Sequence, residues 1–363
     1  MRVDVACFTG QSGITDYSVS LCRALAAKAS VRLLTATSLP HRFRSMGFAV
    51  ETPFRRSRHY PIDFPRLVVR TARAAPDWLL LQSQLKSPIA EGLACRYLRR
   101  RGVRTALAIH DVLPHYPRPW SRAEYSWYYR QFDALVVHSQ SACDAVRAMN
   151  VHTPVAVIPH GVYDLFRLRM PPPAQARQRL GLSPQDRVVL FFGHLEPRKG
   201  LGPLLDAARA LVARTDIKFV VAGSNDLAAH GPQWQARLDQ ARRLPNVLIH
   251  DRRIPFEEVE DYFCAADVVA LPYLEGTTSG VLKLAIAFGK PVVASTVGDL
   301  PHEVPPGGGE LLPVDRLAED LPGALTRLLE EPAHAAAAMQ AASRQGDWSL
   351  IADRYLDLLQ AHS

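Results

Sequence analysis

Short runs of β-branched and other apolar residues alternate along this chain with longer stretches whose apolar positions recur at helical spacing. In the first half, Val3–Phe8, Val31–Thr35, Trp78–Leu81, Thr105–Ile109, Ala134–Val137 and Val155–Ile158 predict strands, and Tyr17 to Ala27 predicts a helix between the first two. Nearly continuous apolar runs joined by amphipathic segments are the rhythm of a parallel sheet covered on both faces. The rhythm pauses at Arg169-Met170-Pro171-Pro172-Pro173, which continues neither a helix nor a central strand. It restarts with Val188–Phe192, Phe219–Ala222, Val247–Ile249, Val268–Leu271 and Pro291–Ala294, each followed by a helix-like segment. The tail, Trp348 to Leu359, predicts an amphipathic helix with Leu350, Ile351, Tyr355, Leu358 and Leu359 as its apolar stripe.

The pattern predicts a first doubly wound domain over residues 1–168, a linker over 169–175, a second over 176–345, and a closing helix in 346–363. A chain of 363 residues suits two cores, and 48% hydrophobic with 21% charged residues is a globular balance. Open parallel sheets bind ligands beyond the carboxyl ends of their strands. Two such sheets facing across a cleft place the chemistry in the loops after the strands. No run of 18 apolar residues is present, and the first residues lack the features of a signal peptide, so a cytoplasmic location is expected. The five cysteines are scattered, with no paired or zinc-type spacing, and read as buried reduced thiols.

Charge divides unevenly. Residues 1–168 hold 23 Lys and Arg against 11 Asp and Glu, a net of +12, whereas the remainder holds 20 against 24. Arg42, Arg44, Arg55, Arg56, Arg58, Arg66, Arg70 and Arg73, then Arg99, Arg100, Arg101 and Arg104, carry much of the excess. A peripheral contact with anionic membrane or with an anionic acceptor is one expectation for such a face; a merely solvated surface is the other.

Two segments carry candidate chemistry. In Leu190-Phe191-Phe192-Gly193-His194-Leu195-Glu196-Pro197-Arg198-Lys199-Gly200 a strand ends, Gly193 permits a turn, and Arg198 and Lys199 stand just before a helix. Cations there suit a diphosphate whose charge grows as it leaves; a solvated basic turn is the competing reading. In Leu271-Pro272-Tyr273-Leu274-Glu275-Gly276-Thr277-Thr278-Ser279-Gly280-Val281-Leu282 a strand runs into a small-residue loop and then a helix. The unpaired amides at such a helix start attract phosphate oxygens, although an N-capping loop without a ligand has the same composition. Two phosphate-type loops in neighbouring units favour the ligand reading.

These segments, with Pro291-Val292-Val293-Ala294-Ser295 and Gly298, resemble the carboxyl-terminal domain of glycosyltransferase family 4, whose members have the two-Rossmann GT-B architecture. The resemblance extends to Gly10-Gln11-Ser12-Gly13-Ile14, Ile109-His110-Asp111, Val136-Val137-His138-Ser139, Ile158-Pro159-His160-Gly161-Val162, Ile254-Pro255, Ala266-Asp267 and the Trp348 helix. It implies that Arg198 and Lys199 hold the donor diphosphate, together with the helix start at Ser279, Gly280, Val281 and Leu282. By the same resemblance Glu275 contacts the transferred sugar, Ile254 lies at the nucleobase, His110 faces the donor sugar, and Gly13 lets the first loop approach the reaction centre. A satisfied polar cap at the end of a strand is the competing reading of His110. Lys283 stands where the family has a second Glu that binds the ribose, and a Lys accepts no hydrogen bond from two hydroxyls. His194 stands where an Arg is common.

The resemblance further implies transfer from a nucleoside-diphosphate sugar to a glycan, lipid-linked or natural-product hydroxyl, with retention of configuration. No cofactor or metal is implied, and the Asp-x-Asp pattern of metal-using transferases is absent from the sequence. Closure across the Pro171–Pro173 segment is expected to exclude water. A nicotinamide dehydrogenase is disfavoured because Gly10 and Gly13 do not make G-x-G-x-x-G, and a phosphate-loop nucleotidase because Pro291 follows Gly289-Lys290. An epimerase or sugar phosphorylase of the same fold remains an alternative, as does a catalytically silent relative. Nonspecific nucleic-acid binding by the basic half is disfavoured because no recognisable motif or aromatic cluster accompanies the charge.

Overall fold

The predicted strands assemble into two all-parallel sheets in a computed structural model that describes residues 1–114, 117–225, 227–276 and 279–362. The first sheet contains β1 (Arg2–Ala6), β2 (Ser30–Ala36), β3 (Ala49–Phe54), β4 (Trp78–Gln82), β5 (Arg104–Ile109), β6 (Ala134–Val137) and β7 (Val155–Val157). Its order is β3-β2-β1-β4-β5-β6-β7. The second contains β8 (Arg187–Phe192), β9 (Ile217–Ala222), β10 (Val247–His250), β11 (Val268–Leu271), β12 (Val292–Ser295) and β13 (Gly309–Leu312), in the order β10-β9-β8-β11-β12-β13.

The continuous apolar runs have the cause inferred from them. In β8, Val188 and Leu190 enter a core with Leu271, Val292 and Ala294, while Val189 and Phe191 enter the core on the opposite face with Phe219, Val221 and Val293. A strand buried on both sides has no polar face to show. β3 and β13 escaped the sequence reading because both are edge strands. Ala-Val-Glu-Thr-Pro-Phe and Gly-Glu-Leu-Leu are half exposed and lack such a run.

The chain divides into a first unit, Met1–Gly161 with Gly346–Ser363, and a second, Val162–Gln345. Residues 162–168 and the Pro171–Pro173 segment, expected in the first domain and the linker, therefore belong to the second unit. Val162 and Tyr163 enter the core of that unit with Phe166 packed on it, and Glu260, a fully buried carboxylate, accepts the N–H groups of Leu168, Arg169 and Met170 at 2.7–3.1 Å and the Arg169 guanidinium at 2.7 Å.

The closing helix, Trp348–Ala361, packs in the first unit against the helix Gly13–Leu25. Its buried stripe is Trp348, Ile351, Ala352, Tyr355, Leu356 and Leu359; Leu350 points outward, because the spacing of three and four from Trp348 excludes it. All five cysteines are buried and unpaired. Among the described residues, no helix is long and apolar enough to cross a membrane.

Candidate active site

In the second sheet the chain begins at β8, proceeds outward to β9 and β10, then returns to the other side of β8 with β11. Such a reversal of winding leaves a crevice at the carboxyl ends of the two strands flanking it. The loops that follow β8 and β11 meet there. Gly193 ends β8 with φ 109°, and its carbonyl sits where a Cβ on Gly223 would be, 1.5 Å away. Pro197–Lys199 form one 3-10 turn, and Gly200 leaves it with φ 76°. A Cβ on Gly200 would stand 1.7 Å from the carbonyl oxygen of Pro272, so glycine is obligatory where the loops touch. The Arg198 carbonyl accepts the N–H groups of Leu274 at 2.8 Å and Glu275 at 3.2 Å, which locks the second loop onto the first.

This locking brings the predicted phosphate residues together. Lys199 Nζ lies 4.0 Å from the centroid of the Tyr273 ring. The Tyr273 hydroxyl is 2.9 Å from Ser279 Oγ, and Ser279 Oγ accepts the N–H of Leu282 at 3.2 Å as N-cap of the helix Gly280–Ala287. Leu282 itself is fully buried and its N–H is taken by the cap, so its part is structural. The first-turn amides of Gly280 and Val281 have no acceptor within the helix and carry its positive end. Burial, reinforced by Arg198 and opposed by Glu196, lowers the Lys199 ammonium to about 8. Burial pushes the Tyr273 phenol up to about 12. Arg198 is half exposed and paired with Glu196 at 2.5 Å. Thr277 and Thr278 of this loop lie outside the described residues. Glu275 is exposed, His194 is exposed, and Ile254 is half buried in the loop after β10, packed on the core of the same unit.

Lys283, in the first turn of that helix, is mostly buried and bonded to Glu303 at 3.0 Å. Glu303 Oε2 is buried without a hydrogen-bond partner among the described residues.

His110 and Gly13 belong to the first unit. Gly13 opens the helix Gly13–Leu25, whose N-cap Ser12 accepts the N–H of Thr15 at 3.2 Å. The residue pinned in that loop is Gly10, where a Cβ would stand 2.6 Å from the Leu39 nitrogen. His110 follows β5, with Nε2 3.4 Å from Gln82 Oε1. Its ring lies 4.9 Å from that of Tyr17 and 4.7 Å from His138; His160 also touches Tyr17, at 4.7 Å. Burial, then His138 and His160, hold His110 well below the usual imidazole value, so it is neutral at pH 7. His138 Nδ1 donates to the Ile158 carbonyl at 2.9 Å. The closing helix completes this cluster: Trp348 stacks edge-on against Tyr17 at 4.9 Å, and the Tyr17 and Tyr355 hydroxyls are 2.9 Å apart.

Residues 11–164 match the family model Glycosyltransferase Family 4, and residues 186–331 match the model Glycosyl transferases group 1. The chain belongs to glycosyltransferase family 4. A D-inositol 3-phosphate glycosyltransferase of Rhodococcus jostii (strain RHA1) is 34% identical over 208 residues, covering 53% of this chain and 44% of that protein. A second, D-inositol 3-phosphate glycosyltransferase 2 of Catenulispora acidiphila, is 30% identical over 238 residues, covering 62% and 55%. The chain thus spans about half the length of the curated relatives it matches. Anabaena HepE in complex with UDP superposes with a TM-score of 0.78 at 18% identity, covering 99% of this chain and 100% of that one. Sucrose-phosphate synthase from Thermosynechococcus elongatus gives 0.73 at 20% identity, covering 99% and 98%. These structural likenesses concern the fold, which is GT-B.

Within the family 4 frame, three residues of the second unit were missed from sequence. Tyr273 links Lys199 to Ser279, Glu196 holds Arg198, and Glu303 pairs with Lys283. Tyr273 and Glu196 stand inside the two quoted segments, but nothing in their spacing assigns a partner. Glu303 lies 20 residues from Lys283, and only the tertiary fold joins them.

Proposed function

We propose that this family 4 member transfers a sugar from a nucleoside-diphosphate donor to a hydroxyl acceptor, with retention of configuration and without a metal ion. The observation that carries the reading is the continuous chain Lys199–Tyr273–Ser279 at the winding reversal of the second sheet. It sets an ammonium beside the positive end of a helix, where a departing diphosphate needs charge neutralised. The UDP bound to Anabaena HepE, a protein of the same fold, is consistent with a nucleotide donor.

In this mechanism Lys199, Arg198 and the amides of Gly280 and Val281 receive the growing negative charge, which is the work a metal ion performs elsewhere. Glu275 accepts hydroxyls of the transferred sugar, and His110, neutral, donates or accepts a hydrogen bond rather than adding charge. The acceptor hydroxyl attacks the anomeric carbon from the face the diphosphate leaves and passes its proton to the leaving phosphate oxygen. Ile254 supplies backbone to the base. At the ribose, Lys283 accepts nothing, and the Glu303 carboxylate that it positions takes over as hydroxyl acceptor. Contact with an anionic membrane rests on a different region, the helical layer of the first unit.

Titration calorimetry with nucleoside diphosphates of each base tests the reading. One base is expected to bind, and Lys199→Ala to weaken it about fiftyfold, as loss of a charged hydrogen bond worth roughly 2–3 kcal/mol predicts. Failure of every base to bind, or indifference to Lys199→Ala, overturns it. Proton NMR of the product reads retention directly, and undiminished turnover in EDTA reads metal independence. Donor consumed to an isomer without acceptor would instead identify an epimerase.

A further inference from the structure

We propose that the outer face of the helices Tyr60–Ala74 and Pro88–Arg99 docks on an anionic lipid bilayer. Both helices cover the same side of the first sheet, since Tyr60, Phe64 and Leu67 of one and Cys95 and Leu98 of the other enter one core. They are fastened together by the Tyr60 hydroxyl, which donates to Glu91 at 2.8 Å, and by Lys86, which donates to the Ser57 carbonyl at 2.8 Å. Their outward faces therefore form one surface.

Two features of that surface occur together. The first is apolar side chains standing in solvent: Ile62 (51% exposed) and Val69 (43%) on one helix, Ile89 (55%), Leu93 (53%) and Tyr97 (37%) on the other. Ile89, Leu93 and Tyr97 are spaced by four and make a single ridge. The second is charge of one sign. Residues 55–104 hold 12 Lys and Arg against three acids. Asp63 and Glu91 are buried and satisfied internally, Asp63 by Arg55 and Glu91 by two tyrosines and the amides of Leu85, Lys86 and Ser87. Asp77 accepts the N–H of Arg2. Arg58, Arg66, Arg73, Arg96 and Arg100 are exposed and make no ion pair among the described residues.

An anionic bilayer satisfies both features at once. Arginines pair with lipid phosphates at the headgroups, while aliphatic side chains beside them enter the acyl boundary. A nucleic acid would answer the charge and leave the aliphatic ridge in water. A second copy docking face to face would press like charge on like charge. The surface places the acceptor-binding unit against a membrane, which suits an acceptor carried on a lipid.

The test uses the full chain and sedimentation with phosphatidylcholine vesicles, with and without about a third phosphatidylglycerol. Binding is expected only with phosphatidylglycerol, and it weakens as salt is added. Arg66→Glu/Arg73→Glu/Arg100→Glu should lower the partition coefficient about a hundredfold, and Ile89→Ser/Leu93→Ser about tenfold. All five side chains are exposed, so the unfolding temperature should hold. Should the serine pair lower it, the charge-reversed variant decides by itself. Absence of binding to the anionic vesicles, equal binding to both kinds, or unchanged binding by the charge-reversed variant overturns the proposal. A dimer in sedimentation equilibrium that Ile89→Ser/Leu93→Ser dissolves overturns it as well. None of these readings depends on donor binding, so they stand or fall apart from the proposed activity.

Discussion

Both units wind a parallel sheet outward from a first strand and back, yet they furnish the loop ends of their sheets with opposite chemistry. In the second unit the reversal between β8 and β11 is lined by Lys199, Arg198 and a helix start, and Gly200 is pressed onto Pro272. In the first, the loop ends hold Tyr17, His110, His138 and His160 in mutual ring contact, closed by Trp348 and Tyr355 of the final helix. One end sets cationic side chains beside the start of a helix. The other is a packed cluster of aromatic and imidazole rings, in which burial holds His110 neutral at pH 7. The contrast teaches that the repeated fold supplies only the position of a crevice; the loops decide whether charge or neutral polar groups occupy it.

The harshest way to break the contrast is Gly200→Ala. Its φ of 76° and the 1.7 Å approach to the Pro272 oxygen leave no room for a methyl. A loss of about 3 kcal/mol or more in unfolding free energy, read by urea titration, is expected, with diphosphate binding lost as the loops separate. His110→Ala should do the reverse: nucleoside-diphosphate affinity stays within about twofold, while kcat falls roughly tenfold to a hundredfold. An equal loss of affinity would mean the two ends are not chemically distinct.

The pH dependence sharpens the same contrast. Burial holds Lys199 at about 8 in the free protein, and a bound diphosphate favours its charged form, raising it. Below pH 8 the ammonium is charged in both states and affinity is flat. Above pH 8 the free protein must take up a proton to bind, so affinity falls by up to about tenfold per unit. Calorimetry at alkaline pH in two buffers of different ionisation enthalpy reads that uptake. His110 stays neutral throughout and adds no slope. Glu303→Gln should reduce discrimination between a nucleoside diphosphate and its 2′,3′-dideoxy analogue by roughly fivefold to tenfold, while pyrophosphate affinity is kept. The smallest effect expected is Tyr355→Phe, which removes the buried hydrogen bond between the Tyr17 and Tyr355 hydroxyls at a cost of about 1 kcal/mol in unfolding.

Much of the fold was legible because buried parallel strands cannot hide. β8 and β11 announce themselves as apolar runs ending in glycine or proline, and both phosphate-type loops follow from where those runs stop. β3 and β13 were missed because an edge strand is free to be half polar. The segment before Pro171 shows a related limit: its sequence does not say that Glu260, some 90 residues on, accepts the N–H groups of Leu168, Arg169 and Met170. Leu350 looked like core until the register of the final helix put Trp348 and Tyr355 inward.

By itself the order of residues determined the apolar strands, that both sheets are parallel and doubly covered, and that Arg198, Lys199 and Ser279 stand in the loops after strands. Those properties are local, set by periodicity, turn chemistry and burial along each segment. Only the tertiary structure decided that Tyr273 joins Lys199 to Ser279, that Glu303 answers Lys283, and that two arginine-bearing helices share one outward face. Each of those depends on the order in which strands lie side by side, and no sequence interval carries that order.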